Sequence, residues 1–340
     1  MTTVFIFVHT WGVFISRRPF RTLPIAVLAV AGLTGLAACG GGGGAGAGRS
    51  GTTEIVASFY PVAWLAGKVG GPDAEVRTLT KPGAEPHDLE LTARQIADVG
   101  KADYAIYVKG VQPAMDDAVR KHANDKALDV ASVVKTIPAP TGDDGHGHDH
   151  GHEHEGEEGH GQEKQADAAQ DPHVWLDPSR MATIATAFGE RLAAADSAHA
   201  SGYKSRAAAL AAELNALDQA YKAGLTSCKQ KTIVTAHAAF GYLADRYGLK
   251  QVSIAGVDPS SEPSPKRLAE LTHEVKDAGA TTVFTETLVS PRVAESLARS
   301  AGVRTAVLDP VEGVREGSSE DYLSIMRKNL ETLKPALGCS

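Results

Sequence analysis

Short apolar segments alternate with helix-like segments in two separate blocks, and this alternation constrains the fold more than any other feature of the 340-residue chain. In the first block, strands are predicted at 54–58, 76–79, 104–108 and 128–130. In the second block, they are predicted at 232–235, 251–254, 282–285 and 304–308. A repeated strand–helix–strand order predicts parallel sheets covered by helices. We therefore expect an α/β protein with two lobes, at 52–177 and 225–340.

An alanine- and leucine-rich stretch separates the two blocks. Pro178 stands at its start and Gly224 is a candidate stop, which is the usual placement of these residue types in a helix. Gly202 is a position at which the helix could bend or divide. More than 40 helical residues would span about 60 Å. We predict one long, rigid linking helix over 178–224.

Residues 141–170 interrupt the first lobe with a polar segment that has no apolar residue larger than alanine. Such a segment cannot bury enough apolar surface to order itself, so a disordered loop is predicted. The loop contains six histidines: His146, His148, His150, His152, His154 and His160. Histidines interleaved with Asp and Glu predict an auxiliary, low-affinity zinc site. The alternative is a solvated linker that binds metal only incidentally.

The N-terminus has the pattern of an export signal. A basic stretch ends at Arg21, and the apolar run 23–38 is shorter than the roughly 20 residues of a membrane span. The run ends in Leu-Ala-Ala-Cys, which resembles a lipobox. We expect a signal peptide over 1–38, acylation of Cys39 and a flexible tether over 39–51. A plain cleavage site with a chance cysteine is the alternative, and general secretory and twin-arginine routes both stay open.

Charge and cysteine content narrow the functional classes. The net charge is −7, and no Lys/Arg cluster follows Arg21, which argues against a nucleic-acid surface.

Apart from Cys39, the cysteines are Cys228 and Cys339. Outside the cytoplasm such a pair favours a disulfide, which would tie the chain end to the second lobe, whereas two free thiols are the alternative.

Three candidate metal ligands follow predicted strands, where ligands of open α/β sheets gather. They are His87, His237 and Asp309, and His173 stands just before the predicted linking helix. Three imidazoles and one carboxylate form a four-coordinate shell that suits Zn²⁺ better than Mg²⁺ or Ca²⁺. Glu286, at another strand end, is expected to orient a ligand imidazole.

Seven segments, in order, carry a family resemblance: ASFYPVAWLAGKVGG, PGAEPHDLELT, DPHVWLDP, TAHAAFGYLADRYGL, SSEPSPKRLAEL, VSPRVAESLA and VLDPVEG. Together they resemble the zinc-receptor branch of the substrate-binding proteins of ABC importers. The resemblance covers essentially the whole mature chain. It implies two α/β lobes joined by a rigid helix, with Zn²⁺ held between them by His87, His173, His237 and Asp309.

The resemblance also implies partners and a location. A monomeric receptor, not an enzyme, would be anchored through Cys39 to the outer face of the cell membrane, or be periplasmic. It would deliver Zn²⁺ to an ABC permease and its ATPase. Manganese receptors of this family carry Glu where this chain has His237, and a His-rich loop is typical of the zinc members.

Three alternatives remain at this stage. A manganese or iron receptor would prefer a carboxylate to His237. A zinc hydrolase would need an open metal position and a general base, for which Glu286 is the candidate. An extracellular zinc-buffering or adhesion protein would place its binding capacity in the His-rich loop. The remaining histidines, His122, His199 and His273, are expected on helix surfaces, and Tyr60 and Trp175 are expected to pack in the interior.

Overall fold

The computed structural model describes residues 51–140 and 169–340. The predicted signal peptide, Cys39, the tether up to residue 50 and the six loop histidines lie outside these ranges. Within them, no helix is both long enough and apolar enough to cross a membrane.

The first lobe alternates strands and helices as the sequence pattern predicts. Its elements are β1 (Thr53–Ala57), α1 (Tyr60–Gly70), β2 (Ala74–Thr78), α2 (Ala93–Lys101), β3 (Tyr104–Tyr107), α3 (Pro113–His122) and β4 (Ala127–Asp129). Helix α2 is capped by Thr92: its Oγ1 accepts from the Gln95 backbone N–H, and the Gln95 side chain accepts from the Thr92 N–H. This reciprocal pairing satisfies backbone donors that the helix start would leave free.

The second lobe repeats the arrangement. Its elements are β5 (Thr232–Thr235), α6 (Gly241–Tyr247), β6 (Lys250–Ser253), α7 (Pro265–Asp277), β7 (Thr282–Thr285), α8 (Arg292–Ala301), β8 (Arg304–Val307) and α9 (Tyr322–Leu337). Helices α6 and α8 both end at a glycine in the left-handed conformation, Gly248 and Gly302. Glycine adopts this conformation without steric cost, so it stops each helix cleanly.

Each lobe is built on a four-stranded parallel sheet, and the two sheets have equivalent strand orders. The first runs β2-β1-β3-β4 and the second β6-β5-β7-β8. In both, the chain reverses its direction of winding between the two central strands. Ligands bind outside the carboxyl ends of strands at such a switch point. The two-lobed α/β fold is confirmed.

The stretch 178–224 is two helices, which corrects the single rigid helix predicted for it. Helix α4 covers Pro178–Ala195 and α5 covers Ala200–Leu225. They pack side by side, since a Cβ at Gly189 would lie only 2.5 Å from the Cβ of Ala207. Asp196, after α4, fixes the turn: its Oδ2 bonds to Tyr203 at 2.9 Å and His199 at 2.7 Å. The chain therefore folds back, and Gly202 lies inside α5.

Helix α5 connects the lobes. Near its start, Arg206 donates to the backbone carbonyls of Val69 and Gly70 in the first lobe, both at 2.7 Å. Near its end, Tyr221 donates to the Met326 carbonyl on α9 at 2.6 Å. One continuous core of buried side chains also extends from the first lobe to the second. Because core and helix are shared, the lobes are held together by apolar packing.

The two chain segments that flank the His-rich segment are hydrogen-bonded to each other. Residues 137–139 pair antiparallel with 169–171 through Ala139 N–H to Ala169 (2.8 Å) and Asp171 N–H to Ile137 (3.0 Å). Tyr242, on α6 of the second lobe, accepts from the Ile137 N–H and donates to the Asp171 carbonyl. Residues 169 and 170, predicted as part of the disordered loop, therefore belong to an ordered neck.

Cys228 and Cys339 form the predicted disulfide. It follows the end of α5 and holds the last residues of the chain beside 227–230, where Gln230 N–H donates to the Leu337 carbonyl at 3.0 Å. The bridge joins residues separated by 111 positions, so it closes a loop that comprises almost the whole second lobe.

We expect the double substitution Cys228→Ser with Cys339→Ser to lower the free energy of unfolding by about 2–4 kcal/mol, because the unfolded chain regains the entropy of a long open loop. Urea unfolding under non-reducing conditions measures the difference. A reductant should destabilise the wild-type protein similarly and leave the double variant unchanged. Equal stability of wild type and variant would contradict the prediction.

Candidate metal centre

His87 lies on the loop between β2 and α2, and this loop is held from both lobes. The Gln112 side-chain amide donates to the Pro86 carbonyl at 3.0 Å within the first lobe. Gly83 N–H donates to the Val314 carbonyl of the second lobe at 2.8 Å. The loop therefore crosses the boundary between the lobes and carries His87 to it.

His173 is fully buried just before a short 3-10 turn, Val174–Leu176, that leads into α4. Asp171 Oδ1 accepts from the His173 backbone N–H at 2.9 Å and lies 2.8 Å from Nδ1 of the same residue. A carboxylate oxygen can only accept, so Nδ1 carries the proton. The lone pair of Nε2 is then free on the opposite side of the ring.

His237 has the same arrangement after β5. Glu286, which follows β7, accepts from the His237 backbone N–H at 3.0 Å and lies 2.7 Å from Nδ1. Glu286 thus occupies the orienting position expected for it. Strands β5 and β7 are the two central strands of the second sheet, which is why His237 and Glu286 meet at the switch point.

Glu312 completes the group, and the sequence reasoning did not identify it. Its Oε1 lies 3.6 Å from His87 Nε2, 3.5 Å from His173 Nε2 and 3.1 Å from His237 Nε2. The four ligand atoms all lie within 4.8 Å of one another. Glu312 and its histidine partners are shielded from solvent, with His87 contributing the most exposed side chain at 5%.

The spacing of these atoms fits a small tetrahedral cation. Bond lengths of about 2.0–2.1 Å place tetrahedral ligands roughly 3.3 Å apart, close to the separations around Glu312 Oε1. Within the described residues, the buried atoms His87 Nε2, His173 Nε2 and Glu312 Oε2 have no hydrogen-bond partner. Buried polar atoms are rarely left unsatisfied, so a cation among the four residues would give the two histidine nitrogens a partner.

The imidazoles and carboxylates of this group shift one another's pKa values. Burial lowers the pKa of His237, but Glu312 and Glu286 outweigh burial and hold that pKa well above its usual range. Burial raises the pKa of Glu312, but His237 and the other imidazoles hold it well below the usual range. The pKa of His173 is also raised, since Asp171 and Glu312 outweigh its burial. The imidazoles and the carboxylates thus favour each other's charged forms.

Asp309 is not brought into this group, which corrects the predicted fourth ligand. Its Oδ1 accepts from the Val311 backbone N–H at 2.7 Å and its Oδ2 from the Thr287 hydroxyl at 3.0 Å. Both carboxylate oxygens are thus committed to the turn after β8. The acidic residue that reaches the histidines is Glu312, three positions later.

Asp309 was predicted as a ligand because it directly follows a predicted strand. A residue that directly follows a strand is the usual ligand position, and Glu312 lies further along the turn. The sequence signal for Glu312 is the glycine that follows it. Gly313 has no side chain, and this leaves room for Leu288 and the Ala84 carbonyl beside the turn. Asp171 was also missed, although it stands two residues before His173.

The other predicted residues lie where the sequence suggested, outside the group. His122 and His273 are exposed on helices, and His199 directly precedes α5, where its ring is bonded to Asp196. Trp175 is fully buried, packs edge-on against Phe59 at 4.9 Å and donates its ring N–H to the Pro310 carbonyl. Tyr60 packs against the main core.

Comparisons with known proteins agree with the geometry. Residues 55–336 match the family model described as zinc-uptake complex component A, periplasmic. The chain is 41% identical over 294 residues to the zinc-binding protein AdcA of Streptococcus pyogenes serotype M6, an alignment that covers 84% of this chain and 56% of AdcA. The chain thus spans little more than half the length of that relative.

Two further relatives are matched over most of their length. The high-affinity zinc uptake system protein ZnuA of Bacillus subtilis is 32% identical over 287 residues, covering 84% of this chain and 87% of ZnuA. The solved structure of the Zn(II)-bound ZnuA-like domain of Streptococcus pneumoniae AdcA superposes with a TM-score of 0.68 at 34% identity. That superposition covers 84% of this chain and 99% of the domain.

We expect Asp171→Asn and Glu286→Gln each to weaken Zn²⁺ binding about 10- to 100-fold, because the amide no longer fixes the Nδ1–H tautomer or supports the ligand ring with negative charge. Chelator-competition titration measures the loss. Glu270→Gln, on the exposed surface of α7, is the matched control and should bind like wild type. Undiminished affinity in both site variants would contradict an orienting role.

Zn²⁺ affinity should rise with pH. Zn²⁺ binds only neutral imidazole, and the pKa values of His237 and His173 are raised in the metal-free protein, so protons must leave when the metal binds. Affinity is therefore lowest below those pKa values and stops rising once pH exceeds them. Calorimetry in two buffers of different ionisation enthalpy counts the released protons, and a count of zero at neutral pH would contradict the prediction.

Proposed function

Since this chain belongs to the zinc-uptake complex component A family, we propose that it is an extracellular receptor that binds Zn²⁺ with high affinity and delivers it to an ABC importer. The observation that carries the proposal is the convergence of three imidazoles on one buried carboxylate at the boundary of the lobes. The names of the relatives, a zinc-binding protein and a high-affinity zinc uptake protein, support it.

The proposed ligands are His87, His173, His237 and Glu312. The first two come from the first lobe and the last two from the second, so a bound ion would bridge the lobes. Three nitrogens and one oxygen form a closed four-coordinate shell, which suits the borderline ion Zn²⁺. A harder ion such as Mn²⁺ would prefer more oxygen ligands, so His237 disfavours a manganese or iron receptor.

A hydrolytic role is disfavoured by how the carboxylates are used. A catalytic zinc keeps one position for water and needs a nearby general base. Here Glu312 would fill the fourth position, and Glu286 is engaged with Nδ1 and the backbone N–H of His237. This geometry fits an ion that is carried, not one that activates water.

Capture would begin at the boundary between the lobes, where the loop that bears His87 meets the second lobe. His173 and His237 are each fixed by a carboxylate, whereas the loop of His87 is held by backbone contacts at Gly83 and Pro86. The shared core and helix α5 oppose a wide hinge motion. We therefore expect binding and release to involve small movements of loops and of one lobe.

Delivery requires partners and a location. The partners would be an ABC permease, which recognises the metal-bound arrangement of the lobes, and an ATPase that supplies the energy. Acylation of Cys39 would anchor a monomeric receptor to the outer face of the membrane. The six loop histidines from His146 to His160 would collect Zn²⁺ weakly.

A Zn²⁺ titration in competition with a chromogenic chelator tests the proposal. Protein lacking residues 142–164 should keep one tight site, because the proposed ligands lie outside the deleted segment. His237→Ala and Glu312→Gln in that background should each weaken binding at least 100-fold, since a buried polar group then loses its partner. His273→Ala, a histidine exposed on α7, is the matched control and should bind like the parent.

The competing zinc-buffering or adhesion function predicts the opposite pattern. Loss of all tight binding on deletion of 142–164, with no further effect of His237→Ala, would place the capacity in the loop. The receptor proposal would then be wrong.

A further inference from the structure

Val311 has a backbone conformation that valine rarely adopts. Among the non-glycine residues of the described ranges it alone has a positive φ, 59°. A β-branched side chain is crowded in the left-handed region, so valine seldom adopts this conformation without support from its surroundings. Such a conformation persists only where neighbouring residues impose it. The contacts of Val311 therefore show what holds this turn and where it places the next residue, Glu312.

The residue before Pro310 holds this turn. Asp309 Oδ1 accepts from the Val311 N–H at 2.7 Å, and Oδ2 accepts from the Thr287 hydroxyl at 3.0 Å. Asn329, on α9, is bonded to Asp309 twice: its Oδ1 accepts from the Asp309 N–H at 2.9 Å and its Nδ2 donates to the Asp309 carbonyl at 2.7 Å. Asn329 is itself buried, with 2% exposure.

Further contacts fix the turn on both sides. The Pro310 carbonyl accepts from the Trp175 ring N–H at 2.8 Å, and the Val311 side chain is fully buried. After the turn, the backbone at Gly313 lies so close to Leu288 that a Cβ would be 3.1 Å from its Cδ1 atom. Glu312 therefore sits between fixed points, and its side chain has one direction available, towards the three imidazoles.

We infer that Asp309 is a positioning residue for Glu312: it holds Val311 in the left-handed conformation and so directs the Glu312 carboxylate into the metal centre. The inference rests on the proposed function, in which Glu312 is the anionic ligand. It also explains the role of Asp309, which the sequence analysis predicted as a ligand but whose carboxylate oxygens accept hydrogen bonds from Val311 and Thr287.

Asparagine and alanine at position 309 distinguish positioning from direct liganding. An asparagine Oδ1 can still accept from the Val311 N–H, and its amide can donate to the Thr287 hydroxyl, so the turn survives without the negative charge. Alanine removes both side-chain hydrogen bonds and so frees the Val311 N–H. A positioning residue therefore tolerates Asp309→Asn but not Asp309→Ala, whereas a ligand tolerates neither.

We expect Zn²⁺ affinity, measured by chelator competition on the chain lacking 142–164, to fall about 10- to 100-fold in Asp309→Ala and to change less than about threefold in Asp309→Asn. Co²⁺ added in place of Zn²⁺ supplies a spectroscopic readout. Asp309→Asn should keep the parent visible spectrum, and Asp309→Ala should give the weaker bands of higher coordination as Glu312 loses its fixed position. Glu312→Gln is the reference for loss of the ligand.

Thr287→Val is the second variant in case Asp309→Ala folds poorly, because it removes only one donor to Asp309. It should change the Co²⁺ spectrum in the same direction, with a smaller loss of affinity. Equal losses in Asp309→Asn and Asp309→Ala would make Asp309 a ligand and overturn the inference, as would parental binding and spectra in both Asp309→Ala and Thr287→Val. If the parent binds no Zn²⁺ tightly, or Glu312→Gln binds like the parent, the proposed function fails and the inference fails with it.

Discussion

The carboxylate of Glu312 is almost completely buried, and the arrangement of both lobes around it follows from the need to compensate its charge. A lone carboxylate removed from water costs far more than a folded domain can supply. Here the carboxylate faces three imidazoles, which hold its pKa well below the usual range, and the neighbouring carboxylates hold the pKa values of His173 and His237 above theirs. Under the proposed function, a bound Zn²⁺ would compensate the same carboxylate and would bring one more positive charge than a proton does.

The two sheets deliver these groups to one place because they share a strand order. Each sheet has its switch point between its two central strands, and the loops that leave the strand ends face the boundary of the lobes. Helix α5 and a continuous apolar core keep that boundary closed. The same packing that stabilises the chain therefore limits how far the four proposed ligands could separate, and under the proposed function it would leave local loop motion as the route for exchange of the ion.

Three further acidic residues fix the side chains of the candidate metal centre. Asp171 and Glu286 each fix a ligand imidazole through its Nδ1 and its backbone N–H, and Asp309 fixes the turn before Glu312. Asp171 is in turn bonded through its carbonyl to Tyr242 of the second lobe, close to the neck of the His-rich segment. Ligand orientation is thus set by residues from both lobes, none of which needs to touch the metal.

The sequence by itself determined the strands, the disulfide partners and three of the four residues of the candidate metal centre. These depend on local information: apolar periodicity and histidines placed at strand ends. Tertiary structure alone decided between Asp309 and Glu312, because the groups that occupy Asp309 come from Thr287 and Asn329, each about 20 residues away. It also divided the predicted linking helix, since Asp196 bonds to Thr53, 143 positions earlier, and α4 packs on α5 at Gly189. Local periodicity carries no information about such distant partners, and it is they that decide where a side chain points and where a helix ends.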